Sequence, residues 1–190
     1  MNKEKHILLV VGKSGAGKST LVDILSKTNN WSVLQSYTTR KPRYDGEQGH
    51  EFVSKEEFDR LENKCAYIMF SGNEYCATSE QVDESNLYII DPAGIEFFIE
   101  NYKGRKKPYV LIVDCDEEVA VKRMTDREGG TAEEALKRAL HDKKVFENLT
   151  DTLIEYDVPF ISVENNGSED DLTAAANIVT KHLNRTGVSL

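Results

Sequence analysis

Eight residues, GKSGAGKS from Gly12 to Ser19, fit the pattern G-x-x-x-x-G-K-[ST]. That pattern is the backbone recipe for gripping a triphosphate. Gly12, Gly15 and Gly17 allow a tight turn whose N–H groups point inward, and Ser14, Ala16 and Thr20 extend the run of amides. Lys18 supplies a mobile cation for the β- and γ-phosphates, and Ser19 offers a hydroxyl to Mg²⁺. These residues point to a bound nucleoside triphosphate as donor. A plain strand–loop–helix turn is the alternative reading, and the flanking context decides against it. The apolar run HILLVV (6–11) precedes the loop, and Leu21, Val22, Ile24 and Leu25 follow at helical spacing.

A second stretch, SYTTRKPR from Ser36 to Arg43, packs three cations and four hydroxyls into eight residues. Arg40 and Arg43 lie three apart around Pro42, a stiff fork suited to a phosphate dianion. The whole chain is acidic, with 24 Lys and Arg against 33 Asp and Glu and a formal net charge of -9. Such a balance disfavours non-specific binding to nucleic acid or membrane surfaces. An anion held at Arg40 and Arg43 is therefore held by local chemistry. A solvated basic loop is the competing reading.

Both stretches need a frame to position them. The chain has 190 residues, the size of one domain with room for an insertion. Apolar runs at 6–11, 31–36, 86–91, 108–114 and 158–163 alternate with helical signals. Several are continuous rather than alternating, as strands buried on both faces are. Ser54 with Glu57, Thr131 with Glu134 and Ser168 with Asp171 predict helix starts, as does Asp91 before Pro92. The pattern implies an α/β, three-layer P-loop fold with a mostly parallel five-stranded sheet. Residues 37–85 break the alternation and read as an inserted subdomain with one short helix. The expected organisation is a core of 1–36 and 86–190, the insert at 37–85 and a helical lid at about 124–142. In an open α/β sheet ligands gather at the carboxyl ends of strands, which brings both phosphate-binding stretches to one edge. The three cysteines, Cys65, Cys76 and Cys115, follow no metal or disulfide spacing and read as reduced, buried residues of a cytoplasmic protein. No targeting peptide and no membrane span is legible.

In order and spacing, GKSGAGKST, SYTTRKPR, FVSKEEF and FSGNEY resemble the guanylate kinase family, whose members carry phosphate from ATP to GMP. The resemblance implies that Ser36, Arg40, Arg43 and Tyr75 hold the acceptor's phosphate, Tyr75 being otherwise a half-buried aromatic. It implies that Arg127 and Arg138 are lid arginines that close on the transferring phosphoryl group, and otherwise helix-surface cations. It places Asp91 beside the base or the hydrated Mg²⁺, a role compatible with capping a helix, and Asn165 near the adenine. It implies small nucleotides as partners, and a monomer or homodimer.

The departures from the family cluster at the base. Its guanine-reading glutamate is Ala66 here, a base-contacting serine is Ala77, and an acid and a glutamine are Ile89 and Ala93. Glu74, Thr78 and Ser79 are the remaining candidates to read the base. His50 stands where the family has a phosphate-binding tyrosine, or else is an exposed loop histidine. Three functions fit these residues: a GMP or dGMP kinase, a kinase for another phosphorylated acceptor, and a catalytically silent interaction domain.

Overall fold

The computed structural model describes residues 4–126 and 131–190. Four strands form the central sheet: β1 (His6–Val11), β6 (Leu87–Ile89), β7 (Lys107–Asp114) and β8 (Phe160–Glu164). Their order is β6-β1-β7-β8 and every pairing is parallel. Alternate residues of β1 explain its unbroken apolar run. Ile7, Leu9 and Val11 enter one core with Val110 and Phe98, while Leu8 and Val10 enter the other with Leu111, Leu21 and Leu183. Both faces of the sheet are covered by helices, so polar alternation has no place in it.

Helices flank the sheet: α1 (Lys18–Asn29), α4 (Pro92–Asn101), α5 (Glu117–Thr125), α6 (Ala132–Val145), α7 (Leu149–Glu155) and α8 (Glu169–Thr186). The predicted caps form. Asp91 accepts from the Gly94 amide at 2.7 Å, Thr131 caps α6, and Ser168 with Asp171 makes a complete capping box. α6 ends at Val145, with Phe146 as its cap, and the chain restarts as α7 at Leu149.

The predicted fifth strand at 31–36 reduces to a single bridge, Val33 to Leu87. Its neighbours explain why. Ser32 turns its hydroxyl to Asn86 and Glu84, and the Gln35 carbonyl accepts from the Gln81 side chain. The chain then leaves the central sheet to enter a second one. That sheet contains β2 (Ser36–Thr38), β3 (His50–Phe52), β4 (Lys64–Phe70) and β5 (Asn73–Thr78) in the order β3-β2-β5-β4. It carries two short helices rather than one, α2 (Lys55–Arg60) and α3 (Ser79–Glu84), each opened by a capping box. Cys65 and Cys76 are buried within it, where desolvation pushes both thiols up to about 12. Among the described residues no helix is long and apolar enough to cross a membrane.

Candidate active site

β1 ends at Val11 and α1 begins at Lys18, so the glycine-rich loop spans the gap between a buried strand and a helix N-terminus. Gly15 and Gly17 have φ of 81° and 91°, a region that favours glycine. Space also excludes a side chain there: a Cβ on Gly17 would lie 2.3 Å from Asn165 Nδ2, and one on Gly15 would lie 2.6 Å from the Ala120 carbonyl. Lys18 folds back over the loop, donating to the Gly12 carbonyl at 2.6 Å and the Lys13 carbonyl at 2.9 Å. Ser19 and Thr20 are exposed on the first turn of α1.

Asn165 is buried behind this loop. Its amide donates to the Ala16 carbonyl at 2.8 Å and its backbone N–H to the Asp114 carbonyl at 2.8 Å. Arg123 on α5 completes the brace, donating to the Asn165 carbonyl at 2.9 Å and reaching the Gly15 and Gly167 carbonyls at 3.3 Å. Sequence reasoning missed Arg123. Its contacts are carbonyls from two distant segments, the loop at Gly15 and the turn at Asn165–Gly167, which no local motif announces.

From the other side α6 closes on the loop. Arg138 Nε donates to Ser14 Oγ at 2.9 Å and pairs with Asp142 Oδ1 at 3.2 Å. Asp142, 4% exposed, accepts from the Ser14 amide through Oδ2 at 2.6 Å. The Arg138 guanidinium lies 4.7 Å over the Phe70 ring, a cation–π contact that ties α6 to the tip of β4. Arg127 lies outside the described residues.

Between the two sheets is a cavity of about 520 Å³. Lys18 and Arg138 line it on the loop side; Ser36, Arg43, His50 and Tyr75 line it on the side of the second sheet. Register produces the second group, since Ser36 pairs with His50 and Thr38 with Tyr75. Ser36 Oγ and His50 Nδ1 are 2.9 Å apart, and the His50 and Tyr75 rings meet edge-on at 5.5 Å. His50 is thus a half-buried strand residue, not an exposed loop histidine. Burial, helped by the positive charge of Arg40, lowers its pKa and keeps the ring neutral.

The predicted arginine fork divides into two tasks. Arg43 borders the cavity with its side chain 74% exposed. Arg40 is largely buried against Phe52 and makes a bidentate pair with Glu47, at 2.8 and 3.1 Å. Glu47 also accepts from the Arg43 amide at 2.7 Å. These hydrogen bonds, with Arg40 first, draw the Glu47 carboxyl down to about 2. Arg40 Nε is buried with no hydrogen-bond partner among the described residues. Glu47, which sequence reasoning passed over, is the residue that fixes the loop carrying Arg43. In sequence it is only an acid four residues past Arg43 and two past Asp45.

The remaining candidates sit apart from the cavity's polar end. Glu74 pairs with Lys55 at 2.8 Å and accepts from the Tyr67 hydroxyl at 3.1 Å. Thr78 caps α3. Asp91 does line the cavity while capping α4, and burial raises its pKa. Ala66 and Ile89 line the same wall, whereas Ala77 is fully buried beneath it.

Comparison with known proteins agrees with this frame. Residues 8–154 match the AAA domain family. The chain is 30% identical to a guanylate kinase of Prochlorococcus marinus over 153 residues, 74% of this chain and 81% of that protein. It is 34% identical to a guanylate kinase of Clostridium tetani over 145 residues, 70% and 68% of the two chains. With the guanylate kinase of Mannheimia succiniciproducens identity is 36% over 103 residues, so the match spans about half the length of that relative. The crystal structure of a guanylate kinase from Anaplasma phagocytophilum superposes with a TM-score of 0.59 at 20% identity, covering 96% of this chain and 88% of the other, a likeness of fold. A phosphate loop on a parallel sheet, a second small sheet facing it, and relatives aligned along most of the chain converge: the protein belongs to the guanylate kinase family.

Proposed function

We propose that the protein transfers the γ-phosphoryl group of ATP to a nucleoside monophosphate, GMP or dGMP, giving ADP and the nucleoside diphosphate. One observation carries this reading: Lys18 and Arg138 face Ser36, Arg43 and Tyr75 across one cavity. A triphosphate tail on the first group and a single phosphate on the second would meet between them. An oxygen of the acceptor phosphate then attacks Pγ, the bond from Pγ to the bridging oxygen breaks, and its electrons leave with ADP. Phosphate oxygens are already ionised at neutral pH, so no protein base is needed.

Each residue has a part in this scheme. Gly12, Ser14, Gly15, Ala16, Gly17 and Thr20 line the donor phosphates with backbone amides, and Asn165 holds that loop in shape. Lys18, Arg127 and Arg138 neutralise charge spread over the transferring group, and Arg43, Ser36 and Tyr75 hold the acceptor phosphate. Arg40 acts through Glu47 to set the Arg43 loop. The insert at 37–85 and the lid at about 124–142 are the parts that close.

The donor set suits Mg²⁺ in one respect. Ser19 presents an open hydroxyl beside the loop, and among the described residues no cluster of three metal-ligating side chains competes for the ion. Mg²⁺ would take its other ligands from phosphate and water, and would screen the β- and γ-oxygens. The test is ADP release with ATP, Mg²⁺ and GMP. Turnover is expected, falling about 10²–10³-fold or more in Lys18→Ala. Turnover unchanged in that variant refutes the scheme.

A further inference from the structure

We propose that Asp142 sets the affinity of the phosphate loop for its triphosphate by occupying the Ser14 amide until the donor displaces it. The inference rests on the phosphate-loop reading above. The loop exists to present backbone N–H groups to an anion, and one of them already has one. The Ser14 amide donates to Asp142 Oδ2 at 2.6 Å, a short charge-assisted bond. The other carboxylate oxygen lies 3.2 Å from Arg138 Nε, and that same nitrogen donates to Ser14 Oγ. Asp142 is 4% exposed and borders two spaces at once: the acceptor cavity, and a smaller one of about 110 Å³ between the loop, α5 and α6. It stands between those two spaces, against the glycine-rich loop.

A triphosphate brings several negative charges to the same amides. Two anions cannot share one N–H without strong repulsion in a water-poor site. Donor binding therefore requires the carboxylate to leave the Ser14 amide. Leaving also strips Arg138 of its carboxylate partner and makes its guanidinium available to the incoming phosphates. One displacement thus opens the loop and releases a cation for it.

The experiment is a calorimetric titration of the nucleotide-free protein with inorganic tripolyphosphate, without Mg²⁺ and without a base to bind. Asp142→Asn keeps the shape and removes the charge. It should bind about tenfold more tightly or better than wild type, the scale of one lost charge-assisted hydrogen bond. Equal or weaker binding, in a variant whose melting remains cooperative, overturns the proposal. Hydrogen exchange of the Ser14 amide gives a check that needs no variant: slow exchange in the nucleotide-free wild type supports the contact, and fast exchange overturns it. Lys18→Ala separates the two levels of the argument. Loss of binding in that variant places the anion on the loop; binding that persists there overturns the loop reading itself, and the proposal with it.

Discussion

At the scale of single residues, Glu47 is the organiser of the loop that carries Arg40 and Arg43. It accepts two hydrogen bonds from the Arg40 guanidinium and one from the Arg43 backbone, so its ionised form is favoured by the fold. Its pKa falls from an ordinary 4.5 to about 2. A carboxyl depressed on folding contributes stability that is fully present above its unfolded pKa and is lost as pH falls through the folded one. That window is pH 4.5 to about 2. Glu47→Gln should lower the melting temperature at pH 7, and the gap to wild type should close across that window. A gap independent of pH would show that the carboxylate charge is not what holds the loop. The effect is legible only in three dimensions. In sequence, Glu47 is an acid four residues past Arg43, and Arg40 looks like a phosphate ligand; the bidentate geometry shows that the two are partners. Asp142 shows the same limit more sharply. Its four-residue spacing from Arg138 on a helix was readable, but its bond to Ser14 joins residues 128 apart in the chain.

At the scale of elements, the central strands carry the argument from composition to position. β7 is buried on both faces, with Val110 in one core and Leu111 and Val113 in the other. Its carboxyl end delivers Asp114, whose Oδ1 pairs with Lys13 at 3.3 Å beside the phosphate loop. Leu111 has no exposed surface, so truncation leaves a cavity at the centre of the sheet. Leu111→Ala should cost about 2–5 kcal/mol in denaturant unfolding. A loss below ~1 kcal/mol would mean that the core can collapse around the gap and that β7 is not the rigid support described here. The continuous runs at 6–11 and 108–114 were legible as strands because local composition determines them. The run at 31–36 was not, because Ser32 and Gln35 take their partners from Asn86 and Gln81, beyond the reach of any local pattern.

At the scale of the molecule, two sheets of four strands each face one cavity from opposite sides. The parallel sheet carries the glycine-rich loop, and the mixed sheet carries Ser36, His50 and Tyr75, with Arg43 on the connection from β2 to β3. The first half of this design sits in eight contiguous residues and could be read directly. The second was readable at Ser36–Arg43 and incomplete without the β2–β3 pairing that brings His50 to Ser36. Alanine, isoleucine and buried caps occupy the places where the resemblance led one to look for base-reading groups. On the proposed reading, the protein's grip is concentrated on phosphates. An adenosine–guanosine conjugate bridged by five phosphates engages both halves at once, and its titration tests the facing arrangement most directly. The account predicts one conjugate per chain, bound about 10²-fold or more tightly than ATP or GMP alone, with most of that gain lost in both Lys18→Ala and Arg43→Ala. A conjugate that binds no more tightly than ATP, or is indifferent to Arg43→Ala, would contradict it.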